Sequence, residues 1–223
     1  MSSIAQRLNS LREEIPAGVE LVAVSKFHPV EALMEAYDAG QRLFGESRVQ
    51  EFVDKVEVLP KDIRWHFIGH LQTNKVRKVI GRAALIESVD TEHLLQYIDN
   101  ESVRAGVVTR VLMQVHVARE ETKFGFSEEE LLDYFNSRRF ESLKATHICG
   151  IMGMASNTDD ESLVMSDFER IAAIYRTIRE NESLGLRGFD TLSMGMSGDW
   201  RLAVKAGSNL IRIGTYIFGE RQY

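Results

Sequence analysis

Short apolar runs alternate with longer amphipathic stretches along the whole chain. Runs rich in β-branched residues predict strands near 19–25, 42–45, 65–69, 84–88, 108–117, 146–151, 190–193 and 210–213. Between them, apolar residues at helical spacing predict helices near 2–14, 29–39, 46–58, 73–81, 91–105, 127–137, 161–182 and 199–206, with a short one after 217. The clearest is 161–182, where Leu163, Phe168, Ile171, Ile174, Tyr175 and Ile178 fall close to one face with charges between them. Asp90-Thr91-Glu92 marks a helix start, and Ser127 with Glu130 fits a capping box. No Pro/Gly/Ser-rich linker divides the sequence. Eight strands alternating with helices predict a single (β/α)8 TIM barrel over residues 1–223, with the first helix as an extra element over the barrel bottom. A doubly wound open sheet is the alternative, and the absence of G-x-G-x-x-G after the first strand weakens its dinucleotide-binding form.

In such a barrel, chemistry sits where the strands end. The run at 19–25 ends in Lys26, followed by Phe27-His28-Pro29. An amine at that boundary is partly desolvated, which favours its neutral, nucleophilic form and permits a Schiff base with an aldehyde or ketone. Taken alone, a strand-end lysine also reads as a snorkelling surface residue. The later strands add Ser193-Met-Gly-Met-Ser197-Gly198 and Arg212-Ile-Gly214-Thr215. Loops after strands 7 and 8 often form a phosphate site from backbone N–H groups and short hydroxyls, although the same glycines also serve tight turns. A phosphate-bearing aldehyde held between these loops and Lys26 fits the layout, and pyridoxal 5′-phosphate is such a molecule. Alternation puts Arg212 on the inward side of its strand, where it needs an acceptor: a core carboxylate or the ligand. Against a pyridine nitrogen, a guanidinium would leave that nitrogen unprotonated and a poor electron sink.

Charge and composition narrow the classes. A net charge of −6 and a pI near 5.6 argue against a dedicated nucleic-acid or membrane-surface protein. The lone Cys149 excludes an internal disulfide framework and reads as a small apolar filler. With no apolar leader and no stretch of membrane-spanning length, the expected location is cytoplasmic. No broad apolar stripe announces a dimer, so a monomer is expected.

Several motifs together resemble the pyridoxal phosphate homeostasis proteins, from about residue 19 to 221. They are Ala23-Val-Ser-Lys26, Phe44-Gly45-Glu46 with Val49-Gln50-Glu51, and His66-Phe-Ile-Gly69 with Leu71-Gln72 and Asn74-Lys75. Further on come Gly150-Ile-Met-Gly153, Leu192-Ser-Met-Gly-Met-Ser197 with Asp199, Arg212-Ile-Gly-Thr215 and Ile217-Phe-Gly219. The resemblance implies a barrel like the N-terminal domain of bacterial alanine racemase, holding pyridoxal phosphate as an internal aldimine on Lys26. It implies Arg212 as partner of the pyridine nitrogen, Ser197, Gly214 and Thr215 at the phosphate, Ser193 and Met196 lining the pocket, and His66 beside the cofactor. It also implies a regulator of pyridoxal phosphate supply without established catalysis, with apo pyridoxal-phosphate enzymes as candidate recipients. One departure is visible: Ser47-Arg48 stands where the family often has Asn-Tyr, so no cofactor contact is carried over to Ser47.

Two other readings compete. A racemase-like pyridoxal phosphate enzyme needs a second base opposite Lys26; His66, His70 and Lys123 are candidates by position alone. The expected absence of a covering domain, since Tyr223 closely follows the last strand, disfavours carbanion chemistry in an open mouth. A class I aldolase would use Lys26 and the phosphate loops but leaves Arg212 unexplained.

Overall fold

The computed structural model describes residues 3–117 and 124–220. Eight parallel strands close into a barrel in chain order: β1 (Glu20–Val24), β2 (Leu43–Glu46), β3 (Arg64–Phe67), β4 (Leu85–Val89), β5 (Thr109–Val115), β6 (Thr146–Gly153), β7 (Thr191–Ser193) and β8 (Leu210–Ile213). The open-sheet alternative is thereby excluded. β8 returns to β1 with Arg212 opposite Val22 and Ile213 opposite Ala23. Closure brings the first strand's lysine beside the last strand's arginine, which sequence distance conceals.

The strands alternate in the manner of a filled barrel. Val22, Val24, Leu43, Leu85, Leu112, Met152 and Leu210 form one apolar cluster inside it. Their neighbours Ala23, Phe44, Trp65, Phe67 and Ile86 belong to the larger cluster beneath the helices. Gly45 is the inward residue of β2 near the top; a Cβ there would lie 2.7 Å from Val22 Cγ1.

The helices are α1 (Ile4–Glu14), α2 (Val30–Asp38), α3 (Val49–Val58), α4 (Glu92–Ala105), α5 (Glu128–Asn136), α6 (Glu161–Arg179), α7 (Trp200–Lys205) and α8 (Thr215–Phe218). The capping box of Ser127 and Glu130 starts α5, and Thr91 caps α4. Three expectations shift. The segment expected as a helix over 73–81 forms a 3-10 helix, Thr73–Lys78, with Val76 buried, and passes into a turn that buries Val79. In α6 the buried stripe uses Val164, while Leu163 is only half-buried. Helix α1 does not lie across the barrel bottom. It packs against α2 and α8, donating from Arg7 Nε to Ile217 O at 2.7 Å and from Ile4 N to Glu35 Oε1 at 2.8 Å. With only four residues, α8 leaves that flank of the helical ring to be covered. Among the described residues, no helix is long and apolar enough to cross a membrane.

Candidate functional site

At the C-terminal end of the barrel lies a cavity of about 270 Å³. Its walls carry Lys26 just beyond β1, Arg212 from β8, and Ser197, Gly198, Gly214 and Thr215 from the loops after β7 and β8. Val24, Ile68, Met152, Met154 and Met196 supply the apolar surface, and His28 and Ser47 complete the lining. Of the residues expected from sequence, Lys26, Met196, Ser197, Arg212, Gly214 and Thr215 therefore meet at one cavity. His66 and Ser193 are absent from its walls and lie in a buried layer behind it.

That layer is organised by Glu87, an inward carboxylate of β4 that sequence reading passed over. Glu87 is fully buried and accepts from Ser193 Oγ at 2.6 Å while pairing with His66 Nδ1 at 2.6 Å. Arg212, 4 % exposed, reaches Glu87 Oε2 at 3.5 Å, donates to Ser193 Oγ, and donates through Nη2 to Gly153 O at 3.1 Å. Burial pushes the Glu87 carboxyl up, but His66, Arg212 and Ser193 together outweigh it and hold it below the usual carboxylate range. Burial likewise pushes Arg212 down, opposed by the charges of Glu87 and Asp199. The guanidinium is thus fixed from behind by carboxylate, hydroxyl and carbonyl, with its cavity-facing side available to a ligand acceptor. Its predicted need for a partner is met by a core carboxylate, and the ligand reading is compatible with that pair.

The loop end presents backbone donors to the cavity. Among the described residues, the backbone N–H groups of Ser197, Gly198 and Thr215 have no protein acceptor. Met196 N–H, by contrast, donates to Asp199 Oδ1 at 2.6 Å, so it is spent on the turn into α7. Gly214 N donates to Ser197 Oγ at 3.3 Å, joining the two loops. A side chain on Gly214 would press on Val24 O at 3.0 Å. The Ser47-Arg48 departure also finds a place: Ser47 lines the cavity and the Arg48 guanidinium lies 4.3 Å from the Phe27 ring centroid. Gly69 seats Ser47, since a Cβ at Gly69 would fall 2.1 Å from Ser47 O.

His70 pairs with Asp90 at 2.7 Å and stacks on Phe124 at 3.9 Å, outside the cavity lining. Lys123 lies outside the described residues. Cys149 is buried and accepts from Arg110 Nε at 3.2 Å, a packed interior residue.

Residues 1–222 match the family model for the alanine racemase N-terminal domain. A pyridoxal phosphate homeostasis protein of Schizosaccharomyces pombe is 38 % identical over 229 residues, covering 99 % of this chain and 94 % of that one. One from Vibrio alginolyticus is 36 % identical, with both chains covered completely. Among solved structures, PipY of Synechococcus elongatus with pyridoxal phosphate bound superposes with a TM-score of 0.88 at 36 % identity, covering 97 % of this chain and 100 % of PipY. Alanine racemase of E. faecalis shares the fold, at a TM-score of 0.72 and 19 % identity over 57 % of its length.

Proposed function

The chain belongs to the pyridoxal phosphate homeostasis proteins within the alanine racemase N-terminal domain family, and from that premise we propose that it binds pyridoxal 5′-phosphate through Lys26 and acts in its homeostasis. The observation that carries this is the meeting of the Lys26 amine, the Arg212 guanidinium and the two loops after β7 and β8 at one cavity. Those residues fit the group. Bound there, pyridoxal phosphate supplies an aldehyde for condensation with an amine and an electron-withdrawing pyridine ring. Lys26 offers the amine from a half-buried position. Ser197 and Thr215 offer hydroxyls to the phosphate, with the N–H groups of Ser197, Gly198 and Thr215 beside them. Arg212 keeps its proton and donates to the ring nitrogen, while Val24, Ile68, Met152 and Met154 exclude water from the ring.

The protein works as a single barrel and a monomer in the cytoplasm, holding the cofactor and releasing it to apo pyridoxal-phosphate enzymes, with no robust catalysis of its own. Thr215 and Met196 are exposed at the mouth, which leaves an exit for the cofactor. Racemisation needs bases on both faces of the reacting carbon. Among the described residues, the titratable side chain on the wall besides Lys26 and Arg212 is His28, its ring stacked on Phe218 at 5.0 Å. Titrating the purified protein with pyridoxal phosphate, followed by absorbance, tests the reading. A saturable new near-ultraviolet or visible band is expected, and its absence at all concentrations would overturn the proposal.

A further inference from the structure

Behind Lys26, on the helix side of the barrel wall, sits a charged cluster that no part of the cofactor site uses. Glu46 ends β2 facing outward, fully buried, and Lys55 of α3 reaches its Oε1 at 2.6 Å with 7 % of its own side chain exposed. Lys55 Nζ also donates to the carbonyl of Ser25 at 2.8 Å and lies 3.4 Å from Glu51 Oε2. Ser25 Oγ donates to the same Glu46 oxygen at 2.6 Å. Glu51, one turn before Lys55 on α3, accepts from the backbone N–H of Phe27 at 2.8 Å.

The two peptide groups flanking the Lys26 Cα are therefore both tied to one helix, Ser25 C=O to Lys55 and Phe27 N–H to Glu51. Phe27 meanwhile holds φ at +66°, a left-handed conformation that a bulky residue adopts at a cost and keeps only where its surroundings impose it. Glu51 bonds the N–H of that strained residue and Arg48 covers its ring. A buried ion cluster is also weak evidence for stability as such. The other oxygen of Glu46, Oε2, is fully enclosed and has no hydrogen-bond partner among the described residues. A barrel needs neither the strain nor the buried charges to close.

We propose that Glu51 and Lys55 are positioning residues for Lys26: they fix its two flanking peptides so that the amine is aimed into the cavity at the aldehyde, without touching the ligand themselves. This rests on the reading above that Lys26 is the condensing amine.

Glu51 is the side chain to vary, since it is partly exposed and can be replaced with less disturbance than Lys55. Glu51→Gln keeps the acceptor and its reach but loses the charge. Glu51→Asp keeps the charge but shortens the reach, and Glu51→Ala removes both. With pyridoxal phosphate as probe, rapid noncovalent binding and the slower formation of the borohydride-trappable adduct are measured separately. Adduct formation is expected to slow about tenfold or more in Glu51→Ala and Glu51→Asp, as misplacement of a reacting group does. Glu51→Gln should stay close to wild type, and noncovalent affinity should be nearly unchanged in all three. A variant that merely loses structure would lose affinity as well, and if Glu51→Ala does not fold, the Asp and Gln pair carries the same contrast. Normal adduct formation in Glu51→Asp with slow formation in Glu51→Gln would replace positioning by a charge effect and overturn the proposal. Equal rates in every variant would overturn it too, while leaving the Lys26 reading intact. Wild-type protein that binds pyridoxal phosphate but forms no adduct at Lys26 would overturn both.

Discussion

Replacing Glu87 with alanine removes the acceptor around which the buried layer is built. Arg212 is 4 % exposed, and without Glu87 its guanidinium keeps, among the described residues, the neutral Ser193 Oγ and Gly153 O plus the more distant charge of Asp199. His66 and Ser193 lose their partners at 2.6 Å in the same step. Breaking a buried pair costs about 3–5 kcal/mol, and each orphaned buried polar group adds about 1–3 kcal/mol when it finds no water. These terms overlap, so we expect a loss of about 3–5 kcal/mol at neutral pH, a large fraction of a domain's net stability. The pH dependence is distinctive. Because the folded state lowers the Glu87 pKa, its contribution is fully present above the unfolded-state value near 4.3 and is lost as pH falls through the lower folded value. Urea unfolding of wild type and Glu87→Ala, without cofactor and across pH 7 to about pH 3, should show the gap narrowing on acidification. A gap below about 1 kcal/mol at pH 7, or one that does not change with pH, would refute the account of this layer.

The phosphate loops and the cavity wall make their own predictions. Thr215→Val should weaken pyridoxal phosphate binding by about 1.5–3 kcal/mol, the worth of a hydrogen bond to a charged group, while leaving the melting temperature nearly unchanged because Thr215 is exposed; wild-type affinity in equilibrium dialysis would remove it from the phosphate. Gly69→Ala places a Cβ 2.1 Å from Ser47 O and so must displace the Ser47 backbone; the expected result is lower thermal stability together with weaker cofactor binding, and an unaltered protein in both assays would contradict the packing described. Gly214→Ala, with Val24 O at 3.0 Å, should weaken binding more than it lowers the melting temperature, and the reverse order would assign Gly214 to the fold alone.

Strand positions were legible because apolar runs are dictated by burial on both faces of a closed parallel barrel. The 73–81 segment reads as an ordinary helix because Val76, Val79 and Ile80 fall at i, i+3 and i+4, and the i, i+3 part of that spacing suits a 3-10 turn equally well. The polar part of the cavity wall, Lys26, Ser197, Arg212, Gly214 and Thr215, was legible from residue type at strand ends, whereas apolar Val24, Ile68, Met152 and Met154 look like any core residues. The layer behind it was harder to see. Glu87 lies in Leu-Ile-Glu-Ser-Val, and a carboxylate inside a buried strand was itself the signal, but its partners on β3, β7 and β8 lie 21, 106 and 125 positions away. Lys55 and Glu51 look like a solvated pair on an amphipathic helix; only the approach of Glu46 and the Ser25–Phe27 backbone shows otherwise. His66 and Ser193 were found for their motif, yet both serve Glu87 before any ligand.

The most direct measurement of the central claim is peptide mass mapping of the protein after pyridoxal phosphate loading and borohydride reduction, in wild type and in Lys26→Ala. A reduced adduct on Lys26, lost in Lys26→Ala, is the predicted result. An adduct on another lysine, or one of equal yield in Lys26→Ala, would contradict it.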